Sequence, residues 1–310
     1  MDRILNEIIV DSILYNGEAD IFDLRFQIMS EFVEHFYVIE FCQYFSGGKK
    51  KTIDNFPYYN HQKVTYIFIN RSIEDDVDIK FFSDFIRHVG ILSDPRNIPE
   101  RQRPGASSFE RDYFQREYAA ALTLSKFKNR KDVVFHFSDC DEIPFNLDGF
   151  QSNTPCAINM HNAQGYINRV CKDAPWHGSL LLKIEDFKKC GLNDWRIRSR
   201  TNSIQTKFFS GVHLSSPVPI DRIRRKLAHT AHVEYNDFVT RNYLKFSLQY
   251  GYDFFWRRKI IYSESDVTLP RSCAKYRIQL WKGRNRNSFT WIYYLLGLLV
   301  HKIVRRLRGY

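Results

Sequence analysis

Three apolar runs rich in β-branched and aromatic residues, set apart by intervening segments, restrict this chain to a sheet covered by helices. The runs are Ile8-Ile9-Val10-Asp11-Ser12-Ile13-Leu14-Tyr15, His35-Phe36-Tyr37-Val38-Ile39-Glu40-Phe41 and Val64-Thr65-Tyr66-Ile67-Phe68-Ile69. Each has the length of a strand, and the first stops at the turn pair Asn16-Gly17. Between the first two, Ile21, Leu24, Ile28 and Phe32 recur at helical spacing behind Asp20, a candidate N-cap. Strands joined through such crossovers lie parallel, with helices on the sheet faces. A chain of 310 residues with 44% hydrophobic and 16% aromatic content can bury a large core, which excludes a disordered protein.

Further along, Ser107 and Glu110 form a candidate capping box for a helix running to about Lys126. The segments Ser93-Asp94-Pro95-Arg96 and Arg101-Gln102-Arg103-Pro104-Gly105 before it read as loops. A fourth strand over residues 132–137 leads directly into Ser138-Asp139-Cys140-Asp141-Glu142-Ile143-Pro144. Ligand sites of open α/β sheets lie at the carboxyl ends of strands, so this acidic run stands where chemistry is expected. Shorter strands are predicted at residues 157–160, 165–170 and 179–184, then a helical segment over 220–232. No composition break separates the halves, so the second half is expected to complete the site.

The net charge of +11 favours anionic partners. No zinc-finger spacing, RNA-binding signature or DNA-reading helix accompanies it, so nucleic acid is not the expected partner. Cys42, Cys140, Cys156, Cys171, Cys190 and Cys273 show no CxxC spacing, which points to reduced thiols and against a zinc centre. The N-terminus is too polar for a secretory signal, and a cytoplasmic location is the expectation. At the other end, the apolar run at 289–300 is about 12 residues long, short of the ~20 that span a bilayer. Lys302, Arg305, Arg306 and Arg308 follow it, a combination that suits peripheral attachment to an anionic membrane surface. The alternative is a last helix closing the core through Trp291, Leu295 and Leu299.

Asp139 and Asp141 are one residue apart at the end of a predicted strand. Paired carboxylates supply hard oxygen ligands for Mg²⁺ or Mn²⁺ bridged to a substrate diphosphate. By itself DxD is a weak signal, because acidic pairs also occur in solvated loops.

With its surroundings, however, the motif resembles a known family. The segments are VDSILYNGEADIFDLRF at 10–26, YVIEFCQYFSGGKK at 37–50, ERDYFQREYAAAL at 110–122, VVFHFSDCDEIP at 133–144 and FFSGVHLSSPVPIDRIRRKLAHTAHVEYN at 208–236. In order and spacing they resemble the β-1,4-N-acetylglucosaminyltransferases that add the bisecting GlcNAc to N-glycans (N-acetylglucosaminyltransferase III, glycosyltransferase family 17). The resemblance implies a GT-A-type α/β fold with a Rossmann-like, mostly parallel central sheet flanked by helices. It implies one catalytic domain over residues 1–255, with a nucleotide-sugar part to about 145, and a basic C-terminal extension over 256–310. The activity implied is inverting, Mn²⁺- or Mg²⁺-dependent transfer of GlcNAc from a UDP-sugar to a hydroxyl of a glycan or glycolipid acceptor. UDP-xylose, UDP-galactose, or a catalytically weak carbohydrate-binding protein of the same fold are the alternatives.

On these positions Asp139, Asp141 and His213 resemble the metal ligands, and Glu142 would orient the sugar or organise the loop. Asp11, Asn16 and Glu18 fall at the nucleotide edge; Arg111, Gln115 and Arg116 resemble the helix motif that addresses donor phosphates. Glu234 is the candidate base, with Asp173, Asp194 and Asp237 as alternatives, while a pairing of Glu234 with Arg224 or Arg225 would make it structural. Val212 stands where the family has tryptophan, which bears on the choice of acceptor and donor sugar.

Overall fold

The computed structural model describes residues 7–50, 56–70, 106–147, 154–200, 204–217, 219–257, 260–265 and 281–308. The three apolar runs form β1 (Ile8–Tyr15), β2 (His35–Phe41) and β3 (Val64–Ile69) at their expected bounds. β4 (Val133–Asp139) begins one residue later than expected and continues through Asp139, because that residue stays in register beside Leu14 of β1. β1 pairs parallel with both β2 and β4, and β2 pairs parallel with β3. The resulting order is β4-β1-β2-β3.

Two helices cover this parallel half from opposite sides, as the alternation of side chains along β1 requires. α1 (Ala19–Met29) sets Phe22, Phe26 and Met29 in one cluster with Ile9, Ile13 and Phe36. α2 (Ala106–Ser125) sets Ala120, Ala121 and Leu124 in another with Val10 and Phe135. The expected caps differ in detail. Glu18 takes the N-cap position of α1, with Asp20 inside the first turn, and Ser107 lies one residue inside α2. The predicted loops at 93–96 and 101–105, and Cys273, lie outside the described residues. The other five cysteines are free thiols.

The second half departs from a mostly parallel sheet. β5 (Glu142–Pro144), β6 (Cys156–Gln164), β7 (Arg169–Trp176), β8 (Leu180–Leu182), β9 (Gln205–Ser215) and β10 (Ser263–Glu264) make it mixed. β8 is antiparallel to β4, β6 to both β8 and β7, β5 to β9, and β10 to β7; β6 and β9 alone here run parallel. A short connection explains one of these pairs, β6 with β7, since a tight turn can only return the chain antiparallel; the others join strands far apart in the chain. The strand predicted at 165–170 is one such turn at its start, and β7 begins at Arg169. Beyond α3 (Leu192–Arg198), the segment predicted helical at 220–232 is α4 (Ile220–His229) followed by a 3₁₀ turn at Val233–Tyr235.

The C-terminal extension is built into the core of this half. α6 (Ser288–Leu307) packs on α5 (Phe238–Tyr250), with Tyr294 and Leu298 clustered against Val239, Tyr252 and Trp256. A Cβ on Gly297 would come within 2.5 Å of the Tyr243 ring, so only glycine permits this approach. His301 Nδ1 lies 2.8 Å from the Asp237 carboxylate in a buried pair. Trp291 and Leu295 lie partly buried against the same core, whereas Leu299 points outward. Among the described residues no helix is long and apolar enough to cross a membrane.

One buried network ties the parallel sheet to the acidic turn. Arg25 of α1 is fully buried, and its Nε and Nη2 donate to both oxygens of Asp11 at 2.8 and 2.7 Å. Its Nη1 donates to the carbonyls of Asp139 at 3.0 Å and Glu142 at 2.6 Å, and Nη2 also donates to Ser138 Oγ at 2.6 Å. Burial opposes the charge of Asp11, but Arg25 and His136 outweigh it and hold the carboxyl below its ordinary range. Burial pushes the His136 pKa down, which leaves a neutral ring; to serve Asp11 at 2.7 Å it must carry its proton on Nδ1. Replacing Arg25 would strand a buried carboxylate. Arg25→Met is therefore expected to lose about 3–5 kcal/mol of stability in urea unfolding; a loss under about 1 kcal/mol would show that the network is not what secures this region.

Candidate functional site

β1 is flanked by β2 on one side and β4 on the other, while the connections leave it in opposite directions. That is a topological switch point, and open α/β sheets form a crevice there at the carboxyl ends of the strands. Asp139 ends β4 beside Leu14, so the acidic turn stands at the carboxyl ends of the strands, where such a crevice is expected. The turn is brief because β5 starts at Glu142 and is drawn onto β9, which sets Glu142 opposite His213. The Leu214 amide donates to the Asp141 carbonyl at 2.8 Å and closes the turn from the far side.

Every carboxylate of the turn meets at least one cation, and Arg196 is shared by Asp139 and Glu142. Asp139 receives both terminal nitrogens of Arg116 and, at 3.3 Å, Arg196 of α3. Burial works against its charge, yet the two guanidiniums hold its pKa well below the ordinary carboxylate range. Arg116 also donates to Asp112 at 2.9 Å. Asp141 accepts from Lys226 Nζ of α4 at 2.5 Å, and the same ammonium lies 3.1 Å from Glu18. Burial and the neighbouring Asp141 push the Glu18 pKa up against the pull of Lys226. Lys226 itself is held charged, because Asp141 and Glu18 together outweigh its burial.

Glu142 organises the loop. Its carboxylate accepts from the Asp139 amide at 3.1 Å, from Trp176 Nε1 at 2.7 Å and from Arg196 at 3.1 Å. Arg196 in turn donates to the Gly178 carbonyl at 2.7 Å. A Cβ on Gly178 would meet Glu142 Oε1 at 2.3 Å, so this corner closes only around glycine. His213 stacks on Trp176 with ring centroids 4.0 Å apart, and its Nε2 lies 3.8 Å from Asp141. Burial lowers the His213 pKa, leaving a neutral imidazole whose Nδ1 has no hydrogen-bond partner.

The residues expected at the site thus divide. Asp139, Asp141, Glu142, His213, Glu18 and Arg116 come together. Asn16 sits in the turn before Glu18 with its side-chain oxygen buried and without a partner. Asp11 does not face the crevice, since it is fully buried and its oxygens are taken by Arg25 and His136. Arg111 and Gln115 lie on the same helix as Arg116 but donate to the Phe45 and Gln43 carbonyls at 2.8 and 2.9 Å. They brace the loop after β2 rather than the acidic turn; Tyr44 of that loop stacks on His229 of α4 with centroids 3.8 Å apart. Glu234 hydrogen-bonds to His232 at 2.8 Å. Burial alone would raise the pKa of Glu234, but His232 and Arg305 hold it below its ordinary range, which makes a weaker proton acceptor. Its partner is neither Arg224, which pairs with Asp221, nor a member of the acidic turn. Asp237 caps α5 and is occupied by Thr240 and His301.

Sequence reading missed Arg25, Arg196 and Lys226. Arg25 had a signal: it is a lone charge four residues after Ile21 and three before Ile28, on the apolar face of α1. Lys226 stands among Arg222, Arg224 and Arg225, and nothing local distinguishes it. Among the described residues, no group of three or more His, Cys, Asp or Glu side chains is drawn together as metal ligands would be. The Lys226 ammonium takes the position between Glu18 and Asp141. Comparison with known protein families gives no match to this chain, and no curated protein matches it closely enough to count as a relative.

Proposed function

We propose that the chain is an inverting, metal-dependent glycosyltransferase of the GT-A type, transferring a sugar from a UDP-sugar to a hydroxyl of a glycan or glycolipid. The observation that carries this reading is the convergence of Arg116, Arg196 and Lys226 on an acidic turn at the switch point. Guanidiniums such as those on Asp139 have the planar fork that serves phosphate oxygens equally well. A diphosphate arriving at this turn would therefore find preoriented cations, and charge developing on it as it departs would be stabilised where it forms.

The residues that would hold a divalent cation are Asp141, Glu18 and His213. The two carboxylates share one cation in Lys226, and the imidazole beside Asp141 is neutral, so Mn²⁺ or Mg²⁺ would have to displace the ammonium and draw the three side chains together, since the described residues form no cluster of metal ligands as they stand. Asp139 fits that task less well, since two guanidiniums engage it. The metal, when bound, supplies charge neutralisation at the leaving diphosphate. Inversion also needs a base for the acceptor hydroxyl, and Glu234 remains the candidate from its motif. GlcNAc is the sugar its motifs favour, with UDP-xylose and UDP-galactose as alternatives because Val212 replaces the expected tryptophan. One observation favours a second reading, a carbohydrate-binding protein of this fold with weak turnover: Glu234 is held low by His232.

Calorimetry is expected to detect UDP binding that strengthens when Mn²⁺ is added; negligible binding of every nucleotide, with and without metal, would remove the reading. UDP binding without sugar transfer or donor hydrolysis would favour the second one. Asp141→Asn should keep the fold, checked by its melting curve, and lose about 10²–10³-fold in donor hydrolysis. Near-normal turnover by that folded variant would mean the acidic turn has another role. Lys226→Met removes the ammonium that competes for Glu18 and Asp141, and should bind Mn²⁺ more tightly than the parent without nucleotide. Unchanged or weaker Mn²⁺ affinity would exclude these carboxylates as its ligands.

A further inference from the structure

α6 has two apolar faces, and only one is used by the fold. The inward face carries Tyr294, Leu298 and His301, which are buried against α5. On the opposite side Phe289, Ile292, Leu296, Leu299, Ile303 and Leu307 follow one another at helical spacing and are 50% to 82% exposed. Their steps of three and four residues align them in a single stripe along the whole helix. From Ser288 to His301 the helix carries no charged Asp, Glu, Lys or Arg, so nothing interrupts the stripe over its first turns.

Charge surrounds the stripe at both ends. Lys282, Arg284 and Arg286 precede the helix and are exposed; Lys302, Arg306 and Arg308 are exposed in its last turns. Between Trp281 and Tyr310 there is no aspartate or glutamate at all. We propose that this outward face of α6 docks on an anionic lipid surface, lying in the plane of the interface. The apolar stripe would enter the headgroup boundary while the flanking lysines and arginines, on long flexible stems, stay among the phosphates.

A bilayer-spanning role does not fit, because the helix is not apolar enough and its other face is committed to the core. A second copy of the chain fits poorly too. Both ends of the helix are basic, so parallel or antiparallel pairing would bring cation against cation with no carboxylate to relieve it. Anionic lipid answers both the stripe and the charge. The inference stands apart from the transferase reading, although a surface-bound enzyme would meet lipid-linked acceptors more often.

The test is co-sedimentation of the full-length protein with phosphatidylcholine vesicles, with and without phosphatidylserine, at low and high salt. Binding is expected to the vesicles containing phosphatidylserine and to weaken as salt rises. The double substitution Leu296→Gln and Leu299→Gln alters only exposed positions, so its melting temperature should match the parent while vesicle affinity falls about tenfold or more. The pair Lys302→Gln and Arg306→Gln should abolish the preference for phosphatidylserine. Failure of the parent to sediment with anionic vesicles at low salt would overturn the proposal, as would undiminished binding by the double leucine variant. It would also be overturned if the parent ignores vesicles but is a dimer that the leucine substitutions make monomeric.

Discussion

A buried guanidinium ties the parallel sheet to the acidic turn. Arg25 lies under the sheet with its charge matched by Asp11 and spends its remaining donors on the carbonyls of the acidic turn. A turn that must present several carboxylates in one place would otherwise be free to splay, since its side chains repel one another. The desolvation of Arg25 is costly unless every donor is used, which makes the turn's backbone path a condition of burying it. His136 and Ser179 extend the same network sideways from β4 to the start of β8.

Above that anchor the electrostatics are closely balanced. Asp139, Asp141, Glu142 and Glu18 face Arg116, Arg196 and Lys226, and the cations come from three different helices. An anion or a cation arriving alone would leave one of these charges unmatched, whereas the two arriving together would replace ion pairs with ion pairs. The low position of Asp139 and the raised position of Glu18 follow from this geometry: one carboxylate has two guanidiniums, while the other shares an ammonium with Asp141. Groups whose pKa values are pushed apart by their surroundings are typical of functional sites, though ion networks of structural use do the same.

The second half surrounds that turn. β9 contributes His213, α3 contributes Arg196 and α4 contributes Lys226, all directed at the turn where β4 ends. Its antiparallel pairs mostly join strands far apart in the chain, with β6 and β7 the closely linked pair, and its own core depends on α6. That helix is unusual in keeping aromatic and aliphatic side chains on both faces, one closing the core and the other turned to solvent.

Much of the parallel half was legible in the sequence. Strands β1 to β3 were bounded correctly because each is a short run of β-branched and aromatic residues, with β1 and β2 mostly buried and β3 half-buried at the edge, so composition and length agree. The acidic turn was found for the same local reason: an apolar strand that ends in carboxylates at the place where crossover topology puts ligands. Local pattern failed wherever a residue's role depends on a partner far along the chain. Asp11 looks like a site residue until Arg25 and His136 reach it from 14 and 125 positions away. Arg111 and Arg116 share a helix and a motif, yet only Arg116 turns to Asp139, because a helix directs residues five apart to different sides. Arg196 and Lys226 carry no local mark at all. The sequence by itself determined a parallel α/β unit with an acidic turn at a strand end, since periodicity and turn chemistry act over a few residues. Which cation meets which carboxylate was decided only by tertiary packing, because charge pairing depends on distance in space and not on distance along the chain.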